Sequence, residues 1–490
     1  MEVTRKPHLH QDWIDSHAFG IVKALQKGGF TTYLVGGCVR DLLLNIHPKD
    51  YDIATMAHPP QVKRLIYMSF IIGKRFRLVL VKRGDQQFEV ATFRSEKVLS
   101  ADPDDGPPSD NVFGTPEEDA KRRDFTINGL FYDPINEQLI DYVEGLKDID
   151  ARILRMIGDP EARLIEDPIR TLRGLRLSHK LGLVVEPSLR AAMEKHASEL
   201  EKSVLPRRRE EVLKILRLDE PELCLLECFD LGVLKHVVPT LHDLLSSPER
   251  RDLFLQHFQT LRAMVTDPAD TTQLFGWLVF SMLLAAVEGP SEREEPITIE
   301  DEIFQRLMRD ELGMHKFEQT VLSKAVELAT ALPRTEDFKR RGERRQLALM
   351  KNEGFRLAVR FAQADYQITP QQVEFWKRAY FKMSDEIQAI QEEAKAKKRR
   401  RPRRRRDKEG ERGRSAKNAA ADLADEDESD DLDLDLDADV ATDHDTDNDT
   451  GLDNGRDGDV SIRDTEVDRP DEDDDRRSPE PPTAFGTDKP

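Results

Sequence analysis

Along the first 150 residues, short apolar runs suited to strands alternate with stretches in which apolar residues recur at helical spacing. Phe88 and Val90, for example, alternate with polar neighbours, which leaves Glu89 on the opposite face of a strand. The pattern predicts helices over residues 17–28, 39–45 and 60–67, strands over 32–35 and 50–55, and hairpins over 77–93 and 129–142. Residues 95–119 are rich in Asp, Pro and Gly and are expected to form a loop.

Beyond residue 150 the apolar spacing is helical throughout, including residues 163–183, 207–218, 274–287 and 340–350. We therefore predict an α+β fold class, in which a head with a mixed β-sheet and helices is followed by an all-helical neck and body. The expected boundaries are residues 1–150 for the head, 151–240 for the neck and 241–394 for the body.

The remaining residues, 395–490, are expected to be a disordered tail that is first basic and then acidic. Residues 421–490 contain 28 Asp and Glu against 6 Lys and Arg, with few large apolar residues. Since the whole chain carries a net charge of −20, the rest is close to neutral, and the acidic balance does not argue against a nucleic-acid partner. The basic run is expected to attract RNA phosphates through Lys397, Lys398, Arg399, Arg400, Arg401, Arg403, Arg404, Arg405 and Arg406.

Cysteine usage and hydropathy favour a protein of the cytoplasm with no membrane contact. The three cysteines form no C-x-x-C pair and no disulfide framework. Cys224 and Cys228, one helical turn apart, are expected to lie in the core. The N-terminus has no apolar signal segment, and no stretch approaches about 18 uninterrupted apolar residues.

The strongest chemical signal lies between residues 33 and 55. Gly36 and Gly37 remove side chains at a turn where backbone amides can approach a phosphate, and Arg40 and Asp41 lie in the following helical turn. The next strand carries Asp50 and Asp52, which two-residue spacing places on the same face. Paired carboxylates repel each other unless a cation lies between them, and Mg²⁺ prefers such oxygen ligands together with substrate phosphates.

This G-G-x-V-R-D…D-x-D pattern resembles the nucleotidyltransferase superfamily, in its class II branch of bacterial poly(A) polymerases and tRNA CCA-adding enzymes. The resemblance implies that Asp50, Asp52 and Glu89 hold two Mg²⁺ ions in a catalytic head and that ATP is a substrate. It extends over residues 30–240 and more loosely to 390, which implies nucleotide-base and RNA-binding elements in the neck and RNA contacts in the body.

Two further strings match motifs of that branch. The string R-R-D-F-T-I-N implies phosphate contacts for Arg122 and Arg123 and a ribose contact for Asp124, next to Asn128. The string E-D-x-x-R implies that the incoming base is read by Asp167 and Arg170, beside Glu166 and with Arg173 one turn further on. Without the preceding motifs, both strings are also typical of solvated ion pairs.

The resemblance implies a template-independent enzyme that adds AMP from ATP to RNA 3′-hydroxyls, in RNA decay or mRNA processing. Residues 71–81, the loop before residue 122 and the arginine-rich extension favour poly(A) addition, although Leu80 stands where a His or Gln is frequent. Addition of CCA or A to tRNA is the alternative, and an inactive RNA-binding protein is a third. His242-Asp243 lacks the further ligands of an HD phosphohydrolase. We expect RNA 3′ ends and RNA-decay proteins as partners of a monomer.

Overall fold

The head is built on an eight-stranded mixed sheet in the order β1-β8-β7-β2-β3-β6-β5-β4, in which β3 and β6 form the parallel pair. Its strands are β1 (Glu2–Arg5), β2 (Thr32–Val35), β3 (Asp52–Thr55), β4 (Ser69–Ile72), β5 (Leu78–Arg83), β6 (Gln86–Thr92), β7 (Leu130–Asp133) and β8 (Gln138–Asp141). This computed structural model describes residues 2–5, 9–73, 78–95, 113–287 and 302–384. All of these residues belong to one compact unit.

Five helices accompany the sheet: α1 (Ser16–Lys27), α2 (Gly37–Leu43), α3 (Pro59–Leu65), α4 (Pro116–Lys121) and α5 (Gly145–Asp150). Helix α1 begins after Asp15, whose side chain accepts hydrogen bonds from the backbone amides of His17 and Ala18. Helix α4 begins with a capping box between Thr115 and Glu118. Helices α1, α2 and α3 cover one face of the sheet. A smaller cluster, which includes Ala120 of α4 and Phe131 of β7, lies on the other face.

The rest of the described chain is helical, apart from a two-stranded parallel sheet of β9 (Ile153–Leu154) and β10 (Val184–Val185). The helices are α6 (Pro160–Glu166), α7 (Ile169–Leu181), α8 (Pro187–Lys195), α9 (Leu205–Leu216), α10 (Pro221–Asp230), α11 (Leu234–Val237), α12 (Pro239–Ser246), α13 (Pro248–Leu261), α14 (Thr271–Ala286), α15 (Glu302–Arg306), α16 (Lys316–Ala329), α17 (Thr335–Lys339), α18 (Glu343–Met350), α19 (Phe355–Ala364) and α20 (Pro370–Lys382). Short 3-10 helices span Gln11–Trp13, Thr126–Asn128, Ala197–Lys202 and Arg262–Met264, and a π-helix spans Leu307–Glu311.

Helix α14 is buried along almost its whole length and forms the centre of the body. It packs against α13, α16 and α19, which explains why residues 274–287 are apolar on all sides. Among the described helices, none combines the length and the apolar character that crossing a membrane requires.

The predicted fold class is confirmed: a mixed-sheet head precedes a helical neck and body. Several boundaries differ. The predicted helix over residues 163–183 is two helices, because Pro168 lacks an amide donor and disfavours helical backbone at Asp167. Strand β3 begins at Asp52, so Asp50 precedes it, and α4 occupies the end of the predicted loop. Strands β1, β4, β9 and β10 were not predicted.

Three predictions lie outside the described residues. They concern residues 96–112 of the predicted loop, the basic run with Lys397 through Arg406, and the acidic segment 421–490. The start of the first predicted hairpin, at residue 77, also lies outside them. The domain boundaries at residues 150, 240 and 394 stay predictions.

Candidate active site

A cleft of about 460 Å³ opens between the head and helix α7. Seven cationic side chains and three carboxylates line it, which favours a polyanionic ligand. The lining residues are Gly36, Gly37, Arg40, Asp52, Arg122, Arg123, Asp124, Asn128, Asp167, Arg170, Arg173, Arg176, Leu177 and Lys180. The cleft therefore brings together residues of three sequence motifs: the glycine turn with D-x-D, R-R-D-F-T-I-N and E-D-x-x-R.

Gly36 occupies the one position of the cleft's turn that requires glycine. Its backbone φ is 72°, a left-handed conformation that costs other L-residues free energy. A Cβ at this position would lie 3.0 Å from Nη1 of Arg123 and 3.9 Å from Oδ2 of Asp52. The missing side chain thus lets the backbone at the start of α2 run between an arginine and a carboxylate of the cleft.

The three predicted metal carboxylates lie on or just before the neighbouring strands β3 and β6. Asp52 and Glu89 immediately precede Ile53 and Val90, the first paired residues of the parallel β3–β6 ladder, so both lie on the face opposite the large core. Burial and the charge of Asp50 raise the pKa of Asp52, although Arg123 and Arg40 oppose the shift. Such mutual repulsion between carboxylates is what a bound cation relieves.

Of these three carboxylates, Asp52 lines the cleft, whereas Asp50 and Glu89 are exposed outside its lining. Within the described ranges, no group of three or more His, Cys, Asp and Glu side chains is close enough to hold a metal ion together. The set still fits Mg²⁺ by its chemistry, because all its donors are carboxylate oxygens. The shared metal site stays a prediction.

A chain of hydrogen bonds fixes the polar side chains at the centre of the cleft. Arg40 donates to Asp41 through Nε and Nη2, at 2.8 and 2.6 Å, and to Oδ1 of Asn128 at 2.6 Å. Asn128 in turn donates to Asp124 at 3.0 Å, and Arg173 donates to the other Asp124 oxygen at 3.0 Å. Asp124 also accepts from its neighbouring amide, so protein groups already contact both of its oxygens. A ribose contact by Asp124 stays a prediction.

Arg122 and Arg123, the predicted phosphate contacts, are both held by Asp119. The Asp119 carboxylate is almost fully buried and lies 2.8 Å from Arg122 and 2.9 Å from Arg123. Burial alone would raise the pKa of Asp119, but the two guanidinium groups outweigh it and lower that pKa. Asp119 therefore stays ionised and fixes both arginines at the edge of the cleft. Sequence reasoning missed Asp119. It lies three residues before Arg122 and four before Arg123, and that helical spacing could have revealed it.

The predicted base-reading residues also have protein partners. Both oxygens of Asp167 accept hydrogen bonds from Arg207 of α9, at 3.0 and 2.9 Å. Arg170 donates to Glu166 at 2.7 Å and to the carbonyl of Arg163 at 2.8 Å, so Glu166 supports Arg170 from outside the cleft lining. Sequence reasoning missed Arg207, because it lies 40 residues from Asp167 and no local pattern connects the two.

Two further cations of α7, Arg176 and Lys180, line the cleft and were also missed. Together with Arg170 and Arg173 they recur every three to four residues, a helical spacing that could have revealed them. Arg176 donates to Glu211 of α9 at 2.7 Å. Burial lowers the pKa of Lys180. One face of α7 therefore presents a row of positive charge to the cleft.

The mixed sheet, the glycine turn and the cationic cleft are the features that the sequence resemblance to nucleotidyltransferases implies. Residues 32–155 match the family described as the poly A polymerase head domain, and residues 182–245 match the one described as the probable RNA and SrmB-binding site of polymerase A. These two segments are therefore similar to the head and to the RNA-binding part of poly A polymerases.

Individual relatives fall into the two groups that share this head. Poly(A) polymerase I of Haemophilus influenzae is 43% identical over 211 residues, which are 41% of this chain and 46% of that protein. The CCA-adding enzyme of Lactobacillus helveticus is 39% identical over 199 residues, or 40% and 49% of the two chains. The chain thus matches about half the length of these curated relatives.

Among solved structures, a Thermotoga maritima CCA-adding enzyme complexed with tRNA has a TM-score of 0.54 at 19% identity. The similarity covers 78% of this chain and 87% of that one, and it shows a shared fold that includes much of the helical body.

Proposed function

We propose that this protein is a template-independent RNA 3′-end nucleotidyltransferase that adds AMP from ATP to RNA 3′-hydroxyls and releases pyrophosphate. The observation that carries the proposal is the cleft of about 460 Å³, in which arginines of α2, α4 and α7 converge beside Asp52 and the Gly36-Gly37 turn. Guanidinium groups bind phosphate oxygens through paired hydrogen bonds, so several that converge suit a triphosphate.

In the proposed reaction, the chain's own residues position the substrates. Arg122 and Arg123 contact phosphate oxygens from positions fixed by Asp119, and Asp167 and Arg170 face the base. Asp50, Asp52 and Glu89 would hold two Mg²⁺ ions. When bound, Mg²⁺ lowers the pKa of the attacking hydroxyl and neutralises the triphosphate and the leaving pyrophosphate. The protein itself contributes orientation and fixed positive charge.

The identity to poly(A) polymerase I favours adenylation of RNA over the alternative, CCA addition to tRNA. The cytoplasmic setting, the monomeric state and contacts of the charged segments 395–406 and 421–490 with RNA and RNA-decay proteins are further parts of the proposal. The third reading, an inactive RNA-binding protein, is disfavoured because Asp50, Asp52 and Glu89 are all present.

The test is to incubate the full-length protein with Mg²⁺ and either a generic RNA oligomer or a tRNA lacking CCA, each with ATP or CTP alone. We expect ATP-dependent extension of the generic oligomer. If the tRNA is extended with CTP and the generic oligomer is not extended at all, the protein is a CCA-adding enzyme instead.

The same assay tests the carboxylate site through Asp52→Asn. We expect this variant to lose nearly all nucleotide addition, by a factor of about 100 or more, because it removes a metal-binding charge at the reacting phosphate. Its melting temperature should stay close to that of the parent, because Asn keeps the side-chain volume and removes a charge that Asp50 repels. More than a few per cent of residual activity would contradict the assignment.

A further inference from the structure

One buried arginine lies between the predicted phosphate contacts and the predicted base contacts of the cleft. Arg163 belongs to α6, is 8% exposed and lies outside the set of residues that line the cleft. It contacts Arg122 and Arg123 on one side and Arg170 on the other. Sequence reasoning assigned it no role, although it lies only three residues before the E-D-x-x-R string. Arg163 therefore connects the two parts of the predicted nucleotide site.

On the phosphate side, Arg163 binds backbone groups. Its Nη2 donates to the carbonyl oxygens of Arg122 and Arg123, at 2.6 and 2.8 Å. These two residues directly follow α4, and the last carbonyls of a helix have no partner inside the helix. Asp119 pairs with the side chains of both arginines, whereas Arg163 fixes the backbone that carries them. The positions of both guanidinium groups therefore depend on Arg163.

On the base side, Arg163 is tied to Arg170 in two ways. Its Nη1 donates to Oε2 of Glu166 at 2.8 Å, and the same oxygen accepts a hydrogen bond from Nη1 of Arg170 at 2.7 Å. Nη1 of Arg170 also donates to the carbonyl of Arg163 at 2.8 Å. A shared carboxylate and the backbone of α6 thus both connect the two arginines.

This chain of contacts is suited to transmit a displacement. Its hydrogen bonds have charged donors, which makes them stronger than neutral ones. Arg163 and Arg170 are each 8% exposed, so little water competes for them. A shift of Arg170 toward a bound base moves the partners of Arg163, and Arg163 passes the shift to the backbone at residues 122 and 123. Because a misplacement of about 1 Å can cost about 100-fold in rate, even a smaller shift matters at the phosphates.

We propose that Arg163 is a positioning residue that couples base binding to phosphate binding within the cleft. A base that engages Asp167 and Arg170 orders Arg122 and Arg123 for the triphosphate, and a poorly fitting base leaves them less well ordered. Part of the selection between nucleotides then takes place at the phosphates, away from the base. The inference rests on the proposed function in taking ATP as the ligand of the cleft.

The test divides the nucleotide into adenosine and pyrophosphate and measures the binding of each to the full-length protein with Mg²⁺, by isothermal titration calorimetry. Two ligands that are coupled through a protein raise each other's affinity by the same factor. In the parent, saturating pyrophosphate should raise the affinity for adenosine at least about fivefold. In Arg163→Lys that factor should fall to about one, because an ammonium group cannot contact two carbonyls and Glu166 in one planar arrangement.

A second variant, Glu166→Gln, covers the case in which Arg163→Lys does not fold, since that substitution removes buried hydrogen bonds. The Glu166 side chain is 56% exposed, so its melting temperature should stay close to that of the parent. Glutamine leaves the bonds from Arg163 to the two carbonyls in place and weakens the shared link to Arg170. We expect its coupling factor to fall toward one as well.

The matched control is Arg251→Lys in the body. Arg251 also donates to a backbone carbonyl, that of Leu245, at 2.8 Å, and its guanidinium lies over the ring of Phe229. It lies outside the cleft lining. This variant should keep the parent's coupling factor. A loss in Arg163→Lys is then specific to Arg163 and not a general effect of removing a guanidinium that binds backbone.

Nucleotide addition gives an independent measurement. In Arg163→Lys and Glu166→Gln, kcat with ATP should fall by a larger factor than kcat with CTP, because the correct base gains more from the coupling in the parent. A purely structural role of Arg163 would lower the melting temperature and leave the ratio of the two kcat values unchanged.

The binding outcomes separate this inference from the proposed function. If the parent adds no nucleotide, but adenosine and pyrophosphate are coupled in it and uncoupled in the variants, the function proposal fails and the role of Arg163 stands. If pyrophosphate leaves adenosine binding by the parent unchanged or undetected, the inference is overturned. A parent-like coupling factor in Arg163→Lys overturns it too, and where that variant does not fold, Glu166→Gln decides in the same way.

Discussion

At the scale of single residues, each cleft arginine pairs with a carboxylate within the described part of the chain. Arg40 is held by Asp41, Arg122 and Arg123 by Asp119, Arg170 by Glu166, and Arg173 and Arg176 by Glu211. A guanidinium fixed in this way loses little side-chain entropy when a phosphate binds. These carboxylates therefore hold the arginines of the cleft in place.

The residue-scale prediction concerns Asp119, which we regard as a positioning residue. Asp119→Asn keeps the side-chain volume but removes the charge that orients Arg122 and Arg123. We expect kcat for AMP addition to fall about 10- to 100-fold, since small misplacements of positioning groups cost that much, with a smaller change in the KM for RNA. Steady-state kinetics with ATP and a short RNA give both numbers.

The control is Glu117→Gln in the same helix, where an exposed carboxylate pairs with Lys121. Exposed pairs of this kind contribute little, so this variant should match the parent. If Asp119→Asn lowers the melting temperature but leaves kcat and both KM values unchanged, Asp119 is structural only.

At the scale of elements, α9 connects the cleft to the body. Arg207 and Glu211 are four residues apart on one side of α9, and they contact side chains that line the cleft: Asp167 and the arginines of α7. Arg209 lies between them in sequence and on the other side of the helix, where it forms a buried ion pair with Glu318 of α16 at 2.7 Å. One helix therefore fixes the predicted base-reading residue relative to both α7 and the body.

The element-scale prediction follows from the two hydrogen bonds between Arg207 and Asp167. If Asp167 reads the base, Arg207→Ala should lower the preference for ATP over the other nucleotides about tenfold, the equivalent of about 1.4 kcal/mol of lost positioning. Arg207→Lys should restore little of it, since lysine cannot form the bidentate contact. Incorporation of each of the four nucleotides on one RNA gives the measurement.

Arg217→Ala provides the comparison, because Arg217 caps the same helix but donates to the carbonyl of Pro268 instead. Nucleotide preference in Arg217→Ala should equal that of the parent. Identical preferences in Arg207→Ala and the parent would show that the Arg207 contact serves stability alone.

At the scale of the whole molecule, buried carboxylates lie beside arginines both within the head and at its contact with helix α7. For Asp119, Asp124 and Glu211, burial alone would raise the pKa, but neighbouring arginines outweigh it and lower the pKa. A carboxylate whose pKa is lower in the folded protein stabilises the fold at pH values above the pKa that the same group has in the unfolded chain. That unfolded-chain pKa is about 3.9 for Asp and 4.3 for Glu. That stabilisation is lost as pH falls through the folded-state pKa.

The whole-molecule prediction is therefore a loss of stability in acid. Between about pH 6 and 8 these carboxylates stay ionised, so they should make the melting temperature change little with pH. When the pH is lowered below about 4, the melting temperature should fall. Asp124→Asn should already be less stable at pH 7, because Arg173 loses the closer of its two carboxylate partners. It should lose less stability on acidification than the parent does. Thermal unfolding at several pH values measures both effects.

Glu374→Gln removes an exposed carboxylate of the body and should show the parent's pH profile. A profile for Asp124→Asn that runs parallel to that of the parent between about pH 5 and 3 would contradict the assignment of this acid sensitivity to Asp124.

The sequence by itself determined the α+β class, the mixed-sheet head, the helical body and most of the residues that line the cleft. These follow from local features: the strand and helix periods, the glycine turn, and motifs whose members lie within a few residues of each other. Arg176 and Lys180 were within reach of the same reasoning, because their helical spacing continues that of Arg170 and Arg173.

Only the tertiary structure decided which groups hold these residues in place. Arg207 meets Asp167 across 40 residues of chain, and Arg173 meets Asp124 across 49. Such pairs depend on how α7 and α9 pack against each other and against the head, and local periodicity carries no information on that packing. The break at Pro168 turns Asp167 away from helical backbone and leaves its carboxylate within reach of Arg207, a geometry that the E-D-x-x-R string alone does not specify.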